Sequence, residues 1–477
     1  MTGRSMDILL THGYYLYEDP HELRIMKPYP PLGILYISAH LKARGFAVEV
    51  FDTTFQIREA FREYIARTQP PVVGIYCNMM TRQNVLEMVR ACKDQGATVV
   101  LGGPEPANYA EEYLLRGADV VVIGEGELTL EELLPHLARC GPSDMGSIAG
   151  IIYQQDDGQI VRTSPRPYIA GLDAQPFPDR AAIDIDEYVR VWRDHHGMGS
   201  VSLITARGCP YTCTWCSHAV FGYSHRRRSP ENVADEVDLI LETYRPDMLW
   251  YADDVFTIHP RWFFAYAEEL KQRGIRIPFE TISREDRLDE EIIRALADMG
   301  CFRLWIGSES GSQRVLDAMQ RRTDADRVRE MTHLLQKYGI EAGMFIMLGY
   351  EGEQIADIEA TVEHLKAANP DIFLTTVAYP IKGTPYYDEV ADRIIELKPW
   401  DEGSDRDLTV AGRHSCRFYE FANRWMGGEV AWHRQRNGGQ GSFRQMAKAF
   451  VNARVGRLGM WWTRNELEIG DLSRSRD

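Results

Sequence analysis

The chain has 477 residues, 44% of them hydrophobic and 26% charged, which suits a folded protein of two or three domains with a real core. Its net charge of −16 opposes long-range attraction to nucleic acid or anionic membranes. No apolar run reaches the roughly 18 residues of a membrane span, and the apolar stretch Ile8–Leu10 runs straight into polar and acidic residues rather than a signal-peptide core. The expectation is a cytoplasmic protein with no nucleic-acid or membrane partner. Its acidic balance mildly favours a cationic small-molecule substrate.

In chain order, residues 1–140 alternate short apolar strands with amphipathic helices. Strands are predicted at Met6–Leu10, Phe46–Phe51, Val72–Cys77, Thr98–Leu101 and Val120–Ile123. A helix is predicted over Leu32–Arg44, stopped by Gly45, with others at Val85–Asp94 and from Leu128. Such βα alternation implies an α/β fold: a Rossmann-like, doubly wound parallel sheet with ligands beyond the carboxyl ends of its strands. Glycines in those loops let backbone approach a ligand. Gly102, Gly103, Gly124 and the adjacent Glu125 are the candidates, and tight turns alone are the plainer explanation for the glycines.

Residues 141–198 are rich in proline and look like an irregular surface linker, with a hairpin at Ile151–Tyr153 and Ile160–Arg162. From residue 199 to 395 the βα alternation resumes. Strands are predicted at Val201–Thr205, Met248–Tyr251, Ile277–Ile282, Phe302–Ile306, Ala342–Leu348 and Phe373–Ala378. Helices are predicted at Pro230–Thr243, Arg261–Arg273, Asp289–Met299, Gln313–Gln320, Asp324–Tyr338 and Ile355–Ala368. Six such units suggest a partial (β/α)6 barrel, with its active site at the carboxyl ends of the strands. Residues 396–477 form an aromatic-rich region, helical over 420–465, ending in a frayed tail at Asp471–Asp477.

Eight cysteines are present, and three crowd onto one stretch: Cys209, Cys213 and Cys216, directly after a predicted strand. A disulfide framework does not fit a long chain without a secretory context. Three thiolates without a nearby fourth leave one iron of a four-iron cluster open, which suits catalysis more than electron transfer. A zinc site completed by His218 satisfies the same arithmetic. The basic run His225–Arg228 before Ser229-Pro230 is read first as a solvated patch at a helix start, with contact to a cofactor or an electron donor as the alternative.

The spacing Cys-x3-Cys-x2-Cys, with Trp215 before the last cysteine, resembles the signature of the radical S-adenosylmethionine (SAM) superfamily. Further matches occur at Leu249–Phe256, Glu280–Arg287, Gly307–Ser312, Gly343–Glu353 and Tyr379–Tyr386. Pro30–Gly33, Leu101–Pro104 and Gly124–Glu127 resemble its cobalamin-binding subfamily. The resemblance implies a [4Fe–4S] cluster on Cys209, Cys213 and Cys216, SAM on its open iron, and a flavodoxin- or ferredoxin-like reductant. It allows cobalamin as a third cofactor. By the same resemblance Tyr211 and Trp215 line the adenine, and Asp253 and Asp254 meet the amino group. Ser283 and Arg284 approach the ribose or carboxylate, and Glu309 and Ser310 hold the ribose; the plainer alternatives are a helix cap for Asp253-Asp254 and a surface ion pair of Arg284 with Glu285 or Asp286. One departure is Gly349-Tyr350-Glu351-Gly352-Glu353, where relatives carry proline at the third position.

Asp19-Pro20-His21 is a poor match to a corrinoid-ligating histidine motif, and His12 is a second weak candidate. Neither is needed for corrinoid binding in that subfamily. The implied reactions are methylation of an sp3 carbon, radical dehydration of a vicinal diol in a substrate such as an aminoglycoside, and oxidative cyclisation. A partner reductase would fit a product needing reduction. A non-catalytic corrinoid or iron–sulfur sensor is the reading from a different class.

Overall fold

A computed structural model describes residues 6–437 and 442–468, so the tail expected at Asp471–Asp477 lies outside the described residues. The chain divides into two compact units. One comprises Met1–Pro210, Ser217–Asp253 and Trp400–Ser404, and the other Tyr211–Cys216, Asp254–Pro399 and Asp405–Asp477.

The first unit is built on a sheet of β1 (Ile8–His12), β2 (Val48–Phe51), β3 (Val72–Tyr76), β4 (Thr98–Gly102), β5 (Val120–Val122), β6 (Ile151–Gln154) and β7 (Ile160–Arg162). Its order is β2-β1-β3-β4-β5-β6-β7. The first five strands pair in parallel, and β6 and β7 join antiparallel. Parallel strands covered on both faces read as continuous apolar runs, and β1 and β5 are buried throughout. Helices Leu32–Ala43 and Glu127–Cys140 cover one face through Ile34, Leu41, Leu130 and Leu133. Helices Arg58–Thr68 and Arg82–Asp94 cover the other through Phe61, Ile65, Val85 and Val89. The strand order reverses between β1 and β3, which places a crevice beyond their carboxyl ends.

Residues 141–198 are more regular than their prolines suggest. The expected hairpin forms and extends the sheet, and helix Ile185–His196 follows. Asp184 caps that helix by accepting the Glu187 amide, and Tyr188 and Trp192 are buried.

The same unit holds β8 (Ser200–Leu203), the short pair β9 (Ala206–Arg207) and β10 (Arg226–Arg227), and β11 (Met248–Tyr251) parallel to β8. The run His225–Arg228 is not a solvated patch. Arg226 meets Glu125 at 2.9 Å, Arg227 meets Asp253 at 3.0 Å, and Arg228 meets Glu236. Glu236 is fully buried and also meets Arg180 at 2.6 Å. A buried guanidinium is tolerable only when paired in this way, so the run reads as structure.

The second unit carries parallel strands β12 (Phe279–Ser283), β13 (Cys301–Glu309), β14 (Glu341–Leu348) and β15 (Ile372–Val377), with helices between them. Among the described residues no barrel closes. The expected helical region resolves into helices Cys416–Arg436 and Phe443–Thr463. These pack backbone against backbone: a Cβ on Gly456 would stand 2.4 Å from the Trp425 amide nitrogen.

Because Glu236 is shared by two buried arginines, Glu236→Ala should destabilise the protein by about 3–5 kcal/mol. Thermal unfolding monitored by circular dichroism checks this; an unchanged melting temperature would contradict it.

Candidate functional site

The first unit carries a half-open cavity of about 740 Å³ at the carboxyl ends of its parallel strands. That is the size of a site for a large organic ligand. Gly102, Gly103, Gly124 and Glu125 all line it, as expected. Their reasons for being there differ. A Cβ on Gly103, at φ +109°, would stand 2.4 Å from the Cys77 carbonyl oxygen, so glycine there is required by the turn. Gly124, at φ +81°, is likewise a turn residue. Gly102 has no such constraint: a Cβ there would meet no described atom within 4 Å. Packing leaves that space open on the cavity side.

Glu125 lines the cavity but its carboxylate is committed elsewhere. It meets Arg207 at 2.6 Å and Arg226 at 2.9 Å, and accepts the Ile169 amide at 2.8 Å. Glu127 meets the other Arg207 nitrogen at 2.7 Å. Arg207 stands two residues before Cys209, and Gly208 between them tolerates no side chain, because a Cβ would stand 2.3 Å from the Ser224 carbonyl oxygen. The rim of the cavity thus fixes the chain entering the cysteine loop.

His12 also lines the cavity, yet both ring nitrogens are engaged. Nε2 meets Asp52 at 2.8 Å, and Nδ1 accepts the Tyr14 amide at 3.3 Å. Burial would raise the Asp52 carboxyl, but the hydrogen bonds from His12 and Thr54 outweigh it and hold it below the usual value. His12 is therefore a wall residue. His21 is exposed beside Glu22 and does not line the cavity.

In the second unit, residues 211–216 are held from several sides. The Thr214 amide donates to the Met319 carbonyl at 3.2 Å, its hydroxyl meets the Tyr350 hydroxyl at 2.6 Å, and its carbonyl accepts the Tyr386 amide at 2.9 Å. Trp215 packs on the cluster containing Met319, Tyr350 and Tyr386. The proline-less stretch Gly349–Glu353 therefore supports the cysteine loop through Tyr350. Tyr350 stands out in the sequence only as part of the departing stretch and Thr214 not at all; their hydroxyl contact in space is what reveals the pair.

Tyr211 lies under the Arg284 guanidinium, 3.8 Å from carbon to ring centre, and accepts from Arg287 Nε at 2.5 Å. Arg284 is buried and donates to the carbonyls of Arg321 and Arg322 at 3.0 and 3.2 Å. Cys213 is buried beside it. A hydrogen bond from Cys216, with help from Arg284, brings the Cys213 thiol down to about 7 against the opposing effect of burial. A thiol so placed is readily a thiolate, the form that binds metal.

The other expected contacts separate into two groups. Glu309 ends β13 at φ +60°, a left-handed conformation rare for a glutamate, where the β13–β14 register shifts. Burial raises its carboxyl to about 8, the Cys213 thiolate adds to this, and Arg284 opposes it. Its carboxylate lies 4.0 Å from Arg321. Glu309 and Arg284 thus bring an acid and a cation to Cys213. Arg284 is itself paired, its Nε meeting Asp286 at 2.8 Å, and Ser283, Ser310 and Asp253 are buried and paired as well. Ser283 bonds Thr257 at 2.5 Å and Ser310 bonds Thr361 at 3.1 Å. Asp253 accepts the Thr205 amide at 2.7 Å and meets Arg227. Asp254 is the exposed member of its pair.

Among the described residues, no three His, Cys, Asp or Glu side chains surround one point as a single ion would require. Ligands to a four-iron cluster need not, because each cysteine binds a different iron. The donor chemistry fits such a cluster: Cys213 and Cys216 are hydrogen-bonded thiols, one held near its thiolate form. The cavity fits a corrinoid: it is large, lined by glycines where β4 and β5 end, and left open at Gly102.

Comparison with known proteins agrees. Residues 203–365 match the radical SAM superfamily, and residues 24–134 match the B12 binding domain. The cofactors of those two domains are a [4Fe–4S] cluster, SAM and cobalamin. An uncharacterized methyltransferase, PH0819 of Pyrococcus horikoshii, is 26% identical over 81% of this chain and 84% of its own. The anaerobic magnesium-protoporphyrin IX monomethyl ester cyclase of Rubrivivax gelatinosus is 26% identical over 77% of this chain and 67% of its own. In fold, the chain resembles the radical SAM methyltransferase TsrM of Kitasatospora setae, solved with cobalamin and a [4Fe–4S] cluster. That likeness has a TM-score of 0.70 at 17% identity and covers 95% of this chain and 99% of the other.

Glu353, in the loop that supports Thr214, gives a pH signature. Burial raises its carboxyl to about 8, although the Gly349 amide donates to it. The folded state therefore holds this proton more tightly than the unfolded chain does. The resulting stability is present below the unfolded value near 4.5 and is lost as pH rises through about 8. Glu353→Gln keeps an acceptor for Gly349 and removes the titration. The variant should match the wild type at about pH 5 and melt roughly 2–4 °C higher at about pH 8.5. Parallel pH–melting curves for the two proteins would contradict the assignment.

Proposed function

On the premise that this chain is an enzyme of the radical SAM class carrying a B12-binding domain, we propose that it methylates an sp3 carbon of a small molecule. The observation that carries this reading is the cavity in the first unit, still open at Gly102 in a chain that also bears the three-cysteine loop. A domain kept only as a scaffold has no need of a pocket of this size at its strand ends, where ligands of such sheets bind. The open cavity therefore favours methylation over a dehydration that does not need the corrinoid.

When bound, the three cofactors supply a methyl group and the means to remove a substrate hydrogen atom. In this reading Cys209, Cys213 and Cys216 hold the cluster. Arg284 and Glu309 set the charge beside it and orient the carboxylate and ribose of SAM, and Asp254 faces the amino group. Tyr211, stacked under Arg284, and Trp215, packed on Met319, form the apolar wall on the adenine side. Thr214 and Tyr350 position the loop without touching the reacting atoms. Gly102, Gly103 and Gly124 let backbone close on the corrinoid, while Glu125 holds that wall in place through its arginines.

The test is anaerobic incubation of reconstituted protein with reductant, cobalamin, methyl-deuterated SAM and a panel of small molecules including aminoglycosides, read by mass spectrometry. The expected product carries one labelled methyl group and appears with S-adenosylhomocysteine and 5′-deoxyadenosine. Cys213→Ala should reduce 5′-deoxyadenosine to background. An unlabelled product lighter by one water would replace methylation with dehydration, and an unlabelled product with a new ring would replace it with cyclisation.

A further inference from the structure

Helix Phe443–Thr463 is built with its large side chains facing the wrong way for a helix that only packs on its neighbour. Its buried face is mostly small: Ala449, Ala453, Gly456, Gly459 and Thr463, with Met460 the one large side chain among them. A Cβ on Gly459 would stand 2.2 Å from the Phe421 ring, so that position admits nothing larger than glycine. Its exposed face carries Phe443 (79% exposed), Phe450 (42%), Leu458 (67%), Trp461 (65%) and Trp462 (79%). Their helical spacing places them on one side, opposite the small residues. Isolated exposed apolar residues are common, but a continuous aromatic stripe marks an interaction surface.

The charge on the helix narrows the choice of partner. Between Phe443 and Arg464 there are five cations (Arg444, Lys448, Arg454, Arg457 and Arg464) and no acidic residue, in a chain of net charge −16. Arg444 and Lys448 have no ion-pair partner among the described residues. Arg454 lies over the Phe450 ring at 5.0 Å and Arg464 over the Trp461 ring at 4.5 Å, so cations flank the aromatic stripe. Pairing this face with a second copy about a twofold axis would set cation against cation. Aromatic side chains beside cations match the headgroup region of an anionic bilayer, where indole is favoured and lysine and arginine keep their charge in water. No described helix is long and apolar enough to cross a membrane.

We propose that helix Phe443–Thr463 lays this protein on anionic lipid surfaces. The net charge alone led to the opposite expectation; this helix is a local exception to it.

The test is flotation of the full-length protein with phosphatidylcholine vesicles, with and without phosphatidylglycerol, under anaerobic conditions. The wild type should float with the anionic vesicles only, and less so at high salt. The triple variant Leu458→Gln, Trp461→Gln, Trp462→Gln should bind at least about tenfold more weakly, and so should Arg444→Glu with Lys448→Glu. Both should keep the wild-type melting temperature and SAM cleavage. A wild type that does not float with anionic vesicles would overturn the proposal. So would a triple variant that binds like the wild type, since charge alone would then suffice. Wild-type dimers dissolved by the triple substitution, without vesicle binding, would reassign the face to self-association.

Discussion

A buried carboxylate, Glu125, organises the first unit. It meets Arg207 and Arg226, and Glu127 takes the remaining nitrogen of Arg207. Removing charges from water is costly unless each is paired, so these groups can sit only where they do. The constraint has two consequences. Glu125 belongs to the loop after β5, which walls the cavity, and Arg207 ends β9, two residues before Cys209. The wall of one candidate cofactor site and the approach to the other are therefore fixed by the same ions. Arg227 with Asp253 and Arg228 with Glu236 repeat the device along the adjacent strand.

The second unit solves a different problem. A loop whose thiols must stay available to metal cannot rely on apolar burial alone, and here, among the described residues of the loop, only Trp215 packs on an apolar cluster. Hydrogen bonds to Thr214 from three separate segments hold it instead, and the Arg284–Tyr211 stack stiffens its start. The strained backbone at Glu309 fits the same pattern, since strain persists only where surrounding structure over-determines it. Rigid supports around a loop free to bind metal are what cofactor positioning demands.

Much of this is legible in the sequence because parallel strands and three-cysteine loops are local signals. The strands of both sheets lie within a few residues of their expected places. The expected strand Met6–Leu10 instead runs Ile8–His12, because pairing with β3 carries it on to a histidine that Asp52 satisfies. Helix Arg58–Thr68 escaped notice because only Phe61 and Ile65 are buried on it. Helix Ile185–His196 was hidden by the prolines before it, although Ile185, Tyr188, Val189 and Trp192 have helical spacing. The arginine run was misread for a deeper reason: a charge looks solvated until its partner is known. Glu125 lies 101 residues from Arg226. Asp253 shows the converse, since a position expected to meet SAM has its carboxylate filled by Thr205 and Arg227.

The central claim is that one chain holds a corrinoid in the cavity by Gly102 and a cluster on the cysteine loop, each by its own residues. The most direct measurement is the corrinoid and iron content of anaerobically reconstituted wild type and Gly102→Leu, alongside their melting temperatures. The wild type should hold about one corrinoid and about four irons per chain. Gly102→Leu should keep its iron and its melting temperature, because its side chain enters open space, and lose most of its corrinoid. A wild type that takes up no corrinoid, or a Gly102→Leu variant that binds it as well as the wild type, would contradict the account.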